Sequence, residues 1–195
     1  MSYPLTLRFK VLAIARQLSV LGSDGRLLMY ARMKAFKLRE SITIFADQEQ
    51  TKPLYHVEAD RIIDFSATYS MSDAGGAVLG AIRQKGMRSI WRSRYEILRD
   101  GEVVFTVQEE NPWAKVADAW FEGIPLVGML SGYVFHPRYL VSSVQFGDVV
   151  RVTKQPALFE SAFSIERLPA TVPTPDERLL LIGTVVMALL ERRRG

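Results

Sequence analysis

The sequence predicts an α+β fold that is mostly β: an antiparallel barrel of roughly a dozen short strands, closed around the chain's own C-terminal helix. Three observations predict it. Apolar runs with period-two alternation fill most of the chain, turn residues punctuate those runs, and the segment from Leu179 to Leu190 is apolar on every side.

The strands come first. Leu5, Leu7, Phe9 and Val11 alternate with Thr6, Arg8 and Lys10, the pattern of a half-buried strand. Ala31, Met33 and Ala35 hold one parity, and the apolar positions then switch to Phe36, Leu38, Ile42 and Ile44. Side chains alternate faces along a strand, so this one-residue shift predicts a bulge or bend near Ala35 and Phe36. Ile63, Phe65, Ala67, Tyr69 and Met71 alternate, as do Trp91, Tyr95 and Ile97, and then Val103, Phe105 and Val107. Further strands are expected around Leu54–Asp60, Ala77–Lys85, Tyr133–Phe135, Tyr139–Phe146, Val149–Lys154 and Ala162–Arg167. Between the runs stand Asp24-Gly25, Asp73 to Gly76, Asp100-Gly101 and Gly147-Asp148, residues that tolerate the positive φ of hairpin turns. Amphipathic helices do not alternate with the strands, which disfavours a doubly wound α/β fold.

Two segments read as helices. Asn111 and Pro112 offer an N-cap and a proline at the first helical position, and Trp113, Val116, Ala117, Trp120 and Phe121 recur at helical spacing before Gly123. Near the C-terminus, Thr174 to Glu177 predicts a capping box, with the helix spanning about 176–192 and ending in Arg192, Arg193 and Arg194. Acidic residues at its start and basic ones at its end both suit the helix dipole. Thr184 is the only polar interruption between Leu179 and Leu190. A helix with no polar face must be surrounded, and in a chain of strands the natural surrounding is a sheet curled around it. As a helix this apolar segment extends about 18 Å, too short for a hydrocarbon core of about 30 Å.

Composition bounds the rest. The 195 residues fit a single domain spanning 1–195, and 48% apolar with 24% charged residues is ordinary for a chain with a real core. There is no cysteine, which excludes disulfides, thiolate catalysis and thiolate metal sites and permits a reducing compartment. The N-terminus has strand periodicity rather than the pattern of a targeting signal. The expected setting is cytoplasmic, with at most peripheral contact with a membrane. A net charge of +4 makes an anionic partner plausible.

The strand and turn YSMSDAGG (Tyr69 to Gly76), the run LGAIRQK (Leu79 to Lys85), the aromatic-basic strand WRSRYEI (Trp91 to Ile97) and the closing apolar helix together resemble the tubby C-terminal-like superfamily. The likeness is to its LURP-one-related branch, to which the phospholipid scramblases are related, and it covers roughly Leu18 to the end. It implies a twelve-stranded barrel threaded by the C-terminal helix. Tubby proteins bind phosphoinositide head groups through basic residues on the barrel exterior. The lipidation that scramblases use is excluded by the absence of cysteine, and no tubby contact residue maps singly onto this chain.

The candidate site is basic. Arg83, Lys85, Arg88, Arg92 and Arg94 would converge if Ala77–Lys85 and Ile90–Leu98 form a hairpin, and the single acid between Arg83 and Arg99 is Glu96. Guanidinium groups on one rigid face suit phosphate, so the expected function is a non-enzymatic, peripheral module for anionic phospholipid or phosphoinositide head groups. The competing reading is a solvated outer face, and Arg32, Lys34, Lys37 and Arg39 fit either. The aromatic segment from Trp113 to Leu130 is the alternative, as a protein-interaction scaffold, or else a plug for one barrel end. Nucleic acid is disfavoured as a partner. No cofactor or metal is expected, since His56 and His136 lack ligand-spaced partners and neither a Gly-x-Ser-x-Gly elbow nor a phosphate loop occurs. Glu109, Glu110 and Asp118 form no evident acid–base set, and Glu109 and Glu110 read as acids at a helix start.

Overall fold

A computed structural model of the chain describes residues 2–10, 15–35, 40–60, 67–85, 94–110, 138–155, 162–170 and 172–192. Twelve strands form a closed barrel. They are β1 (Leu5–Phe9), β2 (Arg16–Leu21), β3 (Leu27–Ala35), β4 (Glu40–Phe45), β5 (Pro53–Ala59) and β6 (Thr68–Asp73). β7 (Val78–Lys85), β8 (Arg94–Arg99), β9 (Glu102–Glu109), β10 (Arg138–Ser143), β11 (Gly147–Gln155) and β12 (Ala162–Arg167) complete the wall. Each strand pairs antiparallel with its sequence neighbours, and β12 closes onto β1 through pairs such as Leu5 with Ile165. The helix α1 (Thr174–Glu191) follows β12.

Alternation sends one face of every strand inward. Leu5, Leu7 and Phe9 of β1 are fully buried, while Arg8 between them is exposed. The twelve residues from Leu179 to Leu190 are all buried, and Val185, Val186, Met187, Ala188 and Leu189 show 0% exposure. Successive helical residues point about 100° apart, so five consecutive buried positions cover the full circumference. The helix is wrapped on all sides. Its first turn is fastened to the wall by Asp176, which pairs with Arg99 of β8, and by Glu177, which accepts from Arg167 Nη1 of β12 at 3.1 Å. Among the described residues, no helix is long and apolar enough to cross a membrane.

The helix also touches the wall closely at two glycines. At Gly183 an added Cβ would lie 2.5 Å from Ile97 Cδ1. At Gly80, where φ is +155°, it would lie 2.2 Å from the Leu98 carbonyl oxygen and 3.0 Å from Leu179 Cδ1. A carbonyl in the sheet cannot give way without breaking the ladder. Gly80→Ala is therefore expected to lower stability by about 2 kcal/mol or more, a fall in the urea midpoint that equilibrium unfolding measures. A variant as stable as wild type would disprove the close approach.

Several expectations about local structure are corrected. The parity switch near Ala35 is no bulge in one strand, because β3 and β4 are separate partners paired from Tyr30 with Phe45 to Ala35 with Glu40. In that register odd positions face even ones, so apolar parity has to change across the connection. The actual irregularities, between Val20 and Leu21, Ile44 and Phe45, Met71 and Ser72, Ile97 and Leu98, and Val141 and Ser142, all lie beside the tight turns at the other end. The extra twist of a bulge helps the sheet curl there. The expected turns form, with positive φ at Gly25, Gly76, Asp100, Gly101 and Gly147. The capping box does not. Pro173 occupies the cap position without a side-chain bond, and both acids are taken by Arg99 and Arg167. Of the arginines expected at the helix end, Arg192 is the C-cap, and Arg193 and Arg194 lie outside the described residues. Beside Arg192, Glu191 accepts from the hydroxyls of Tyr95 and of Tyr139, the latter at 3.1 Å. Ile63, Phe65, Trp91, the strand near Tyr133–Phe135 and the helix near Trp113 lie outside the described residues.

Candidate functional site

The hairpin of β7 and β8 sets the expected basic face. Ile82, Tyr95 and Ile97 are fully buried on its inner side, which forces Arg83, Lys85, Arg94 and Glu96 outward. The register places Arg83 opposite Glu96 and Lys85 opposite Arg94. Arg83 donates from Nε at 3.2 Å and Nη2 at 2.7 Å to Glu96 Oε2, and Lys85 Nζ lies 3.3 Å from Oε1. Glu96 is buried beneath them at 6% exposure. Arg94 is exposed and has no carboxylate partner among the described residues. Arg88 and Arg92 lie outside the described residues. Three of the five expected cations are thus brought together, and two of the three share one acid.

Burial by itself pushes the Glu96 carboxyl up, but the bonds and charges of Arg83 and Lys85 outweigh it and hold the group below the ordinary carboxylate range. A lowered folded pKa contributes stability that is present above the unfolded value of about 4.3 and is lost as pH falls through the folded pKa. Glu96→Gln is accordingly expected to cost about 1 kcal/mol at neutral pH, modest because solvent screens both cations. The gap between variant and wild type should close below about pH 4, as urea midpoints across pH would show. A gap that persists unchanged in acid would mean that the carboxylate's charge contributes nothing.

The face continues along the barrel. Arg94 stands opposite Gln108 of β9, Gln108 opposite Leu140 of β10, and Leu140 opposite Arg151 of β11. Arg151 Nε donates to Glu110 Oε1 at 3.1 Å, and Arg138 at the start of β10 is exposed. Arg138 and Arg151 escape the sequence reading because they are isolated in the chain and meet this face only through strand order. Their signal was parity, opposite to buried Tyr139 and Val152. Glu110 is therefore partnered by Arg151 of the wall, and Glu109 ends β9 opposite Tyr139, where a helix-start cluster had been expected. The second basic group is smaller. Arg32 Nη1 donates to Gln50 Oε1 at 2.7 Å, Lys34 is exposed, and Lys37 and Arg39 lie outside the described residues.

The remaining candidates resolve simply. Asp73 Oδ1 accepts from the amides of Gly75 and Ala77, both at 2.9 Å, so the Gly75-Gly76 stretch is a hairpin turn. His56 is half-buried on β5, and His136, Asp118 and the segment from Trp113 to Leu130 lie outside the described residues. No group of three or more metal-ligating side chains is assembled among the described residues.

A closed antiparallel barrel threaded by its own terminal helix, with a basic strand pair on its exterior, is a tubby-like barrel. Within that superfamily the chain belongs to the LURP-one-related family, whose model matches residues 27–125, from the start of β3 to beyond β9. The matched stretch contains the whole β7–β8 face. No curated protein and no solved structure is similar enough to add to that match.

Proposed function

We propose that this barrel is a non-enzymatic, peripheral binding module for anionic phospholipid or phosphoinositide head groups, held on the outer face of β7 and β8. One observation carries the reading. Lys85 and Arg94 stand directly opposite each other, although like charges in that relation destabilise a sheet, and the acid beside them is already divided between Arg83 and Lys85. Arg94 is left as surplus positive charge on a rigid surface, with Arg138 exposed on the same wall. A phosphate group relieves that excess, and a guanidinium fork suits its geometry. The cytoplasmic leaflet, rich in anionic lipid, is the matching surface. The use of an exterior basic face is also what resemblance to tubby proteins implies.

Sedimentation with phosphoinositide-containing vesicles tests it. Binding is expected at low salt, weakening as salt rises, and falling when Arg83, Lys85, Arg88, Arg92 and Arg94 are neutralised together. Absence of binding at low salt, or binding indifferent to those replacements, retires the proposal.

A further inference from the structure

The two ends of the barrel differ. One carries the tight turns and the start of α1, and the other receives the end of α1 and the longer connections. At the second end the inward positions turn polar, and the polar groups are sorted by sign. On one side the carboxylates are held by tyrosines: Glu191 by Tyr95 and Tyr139, and Glu40 Oε2 by the Tyr69 hydroxyl at 2.7 Å. On the other side the cations are Lys154, on the inward parity of β11, Arg16, on that of β2, and Arg192 at the end of α1.

Arg192 caps α1 and stacks its guanidinium on the buried ring of Phe9, 4.6 Å from the centroid. Its Nη1 is shielded from solvent and has no hydrogen-bond partner among the described residues. Arg16 opens β2 on the same parity as buried Leu18 and Val20, opposite Met33, and among the described residues its Nη1 reaches Met33 Sδ, at 3.8 Å. Lys154 of β11 shares the inward parity of Val150 and Val152 and stands opposite Phe163, whose ring packs edge-on against Phe9. Among the described residues none of these three cations pairs with a carboxylate. Burial, and next the charge of Arg16, hold the Arg192 guanidinium below its ordinary pKa, so the two arginines oppose each other. The C-terminal end of the helix dipole offsets about half a charge, which leaves most of the excess standing. A buried guanidinium nitrogen without an acceptor is costly, and the like charge of Arg16 beside it raises the cost.

We infer that this mouth is a second anion site, in which Arg192 from the helix end, Arg16 from β2 and Lys154 from β11 receive an oxyanion of the phosphate-monoester type above Phe9. It is separate from the outer β7–β8 face: its residues point into the barrel from other strands, and the missing acceptor of Arg192 Nη1 belongs to this site alone. The aromatic floor limits competing hydration, and the fork of Arg192, fixed on Phe9, is already oriented for an acceptor. A soluble phosphate and a lipid phosphomonoester head group share this chemistry.

Calorimetric titration of the full chain with inorganic phosphate, against chloride at matched ionic strength, tests the site. Saturable binding is expected for wild type, about tenfold weaker in Arg16→Gln and in Arg192→Gln. Arg16→Lys should recover part of the loss, and Arg26→Gln, exposed in the tight turn at the opposite end of the barrel, should bind as wild type does. No saturable binding to wild type, or binding untouched by Arg16→Gln, overturns the inference. So does binding lost in Arg94→Gln but kept in Arg16→Gln, which would place the anion on the outer face. Should Arg192→Gln fail to fold, Arg16→Gln decides alone, because its side chain lies half-exposed at the rim. Phosphatidylcholine vesicles with and without phosphatidic acid then separate the sources. Capture on the acidic vesicles that excess inorganic phosphate reverses in wild type identifies a lipid head group, and phosphate binding without vesicle capture identifies a soluble ligand. Both support the site.

Discussion

Val186→Asp abolishes the cooperative unfolding transition of this chain. Val186 has no exposed surface, and its neighbours on α1, pointing in every direction around the helix, are buried as well. An aspartate there must either remain charged without a partner or take up a proton and still lack hydrogen bonds. The uncompensated charge costs several kcal/mol, against a total stability of about 5–15 kcal/mol for a domain. The stronger form of the prediction concerns the circumference. Asp at Val185, Val186, Met187 and Leu189 should be equally damaging, since those positions point in different directions around the helix. A helix lying on an outer face would tolerate at least one of the four. Arg178→Asp is the control. That residue is exposed near the start of the helix, where an acid suits the helix dipole, so its melting curve should stay within about 0.5 kcal/mol of wild type. Circular dichroism melts of the five variants decide the matter, and one native-like melt among the four interior variants is enough to refute a wrapped helix.

The architecture was legible because burial leaves two plain marks on a sequence, parity and the missing polar face. β12 runs from Ala162 to Arg167, the bounds that alternation alone suggests. The apolar stretch from Leu179 to Leu190 needed a wrapper, and the strands supply it. β2 was harder to see, since only Leu18 and Val20 mark its inner face. Of the bulge or bend expected at Ala35, register removes the bulge: a parity change is produced equally by a bulge and by a turn between two paired strands. Charge was the least legible property. The cations of the β7–β8 face could be named from the sequence, but the division of Glu96 between Arg83 and Lys85 depends on which residues stand opposite across the hairpin. Arg16, Lys154 and Glu191 mislead in another way. Charged residues at strand and helix ends are ordinarily read as outward, whereas here parity and the closed wall turn them toward the barrel mouth.

Arg94→Glu weakens capture by phosphoinositide vesicles roughly thirtyfold at low salt. Each basic residue near an anionic surface contributes about 1 kcal/mol, so a reversal removes about 2 kcal/mol, which converts to that factor. Lys85→Glu combined with it should bring the loss to about a thousandfold, since the two residues stand side by side on one rigid hairpin. The difference must shrink with salt, because the screening length falls from about 8 Å at physiological ionic strength to about 3 Å at 1 M. Arg94 is exposed, so the melting curve of the single variant should match wild type. Glu96→Gln supplies the opposite sign. It releases Arg83 and Lys85 from their shared acid, so capture by the same vesicles should strengthen several-fold while stability at neutral pH falls. A face that merely keeps the barrel soluble predicts no gain in binding from a destabilising change. Equal capture of wild type, Arg94→Glu and Glu96→Gln at low salt would remove the β7–β8 face from any role at a membrane.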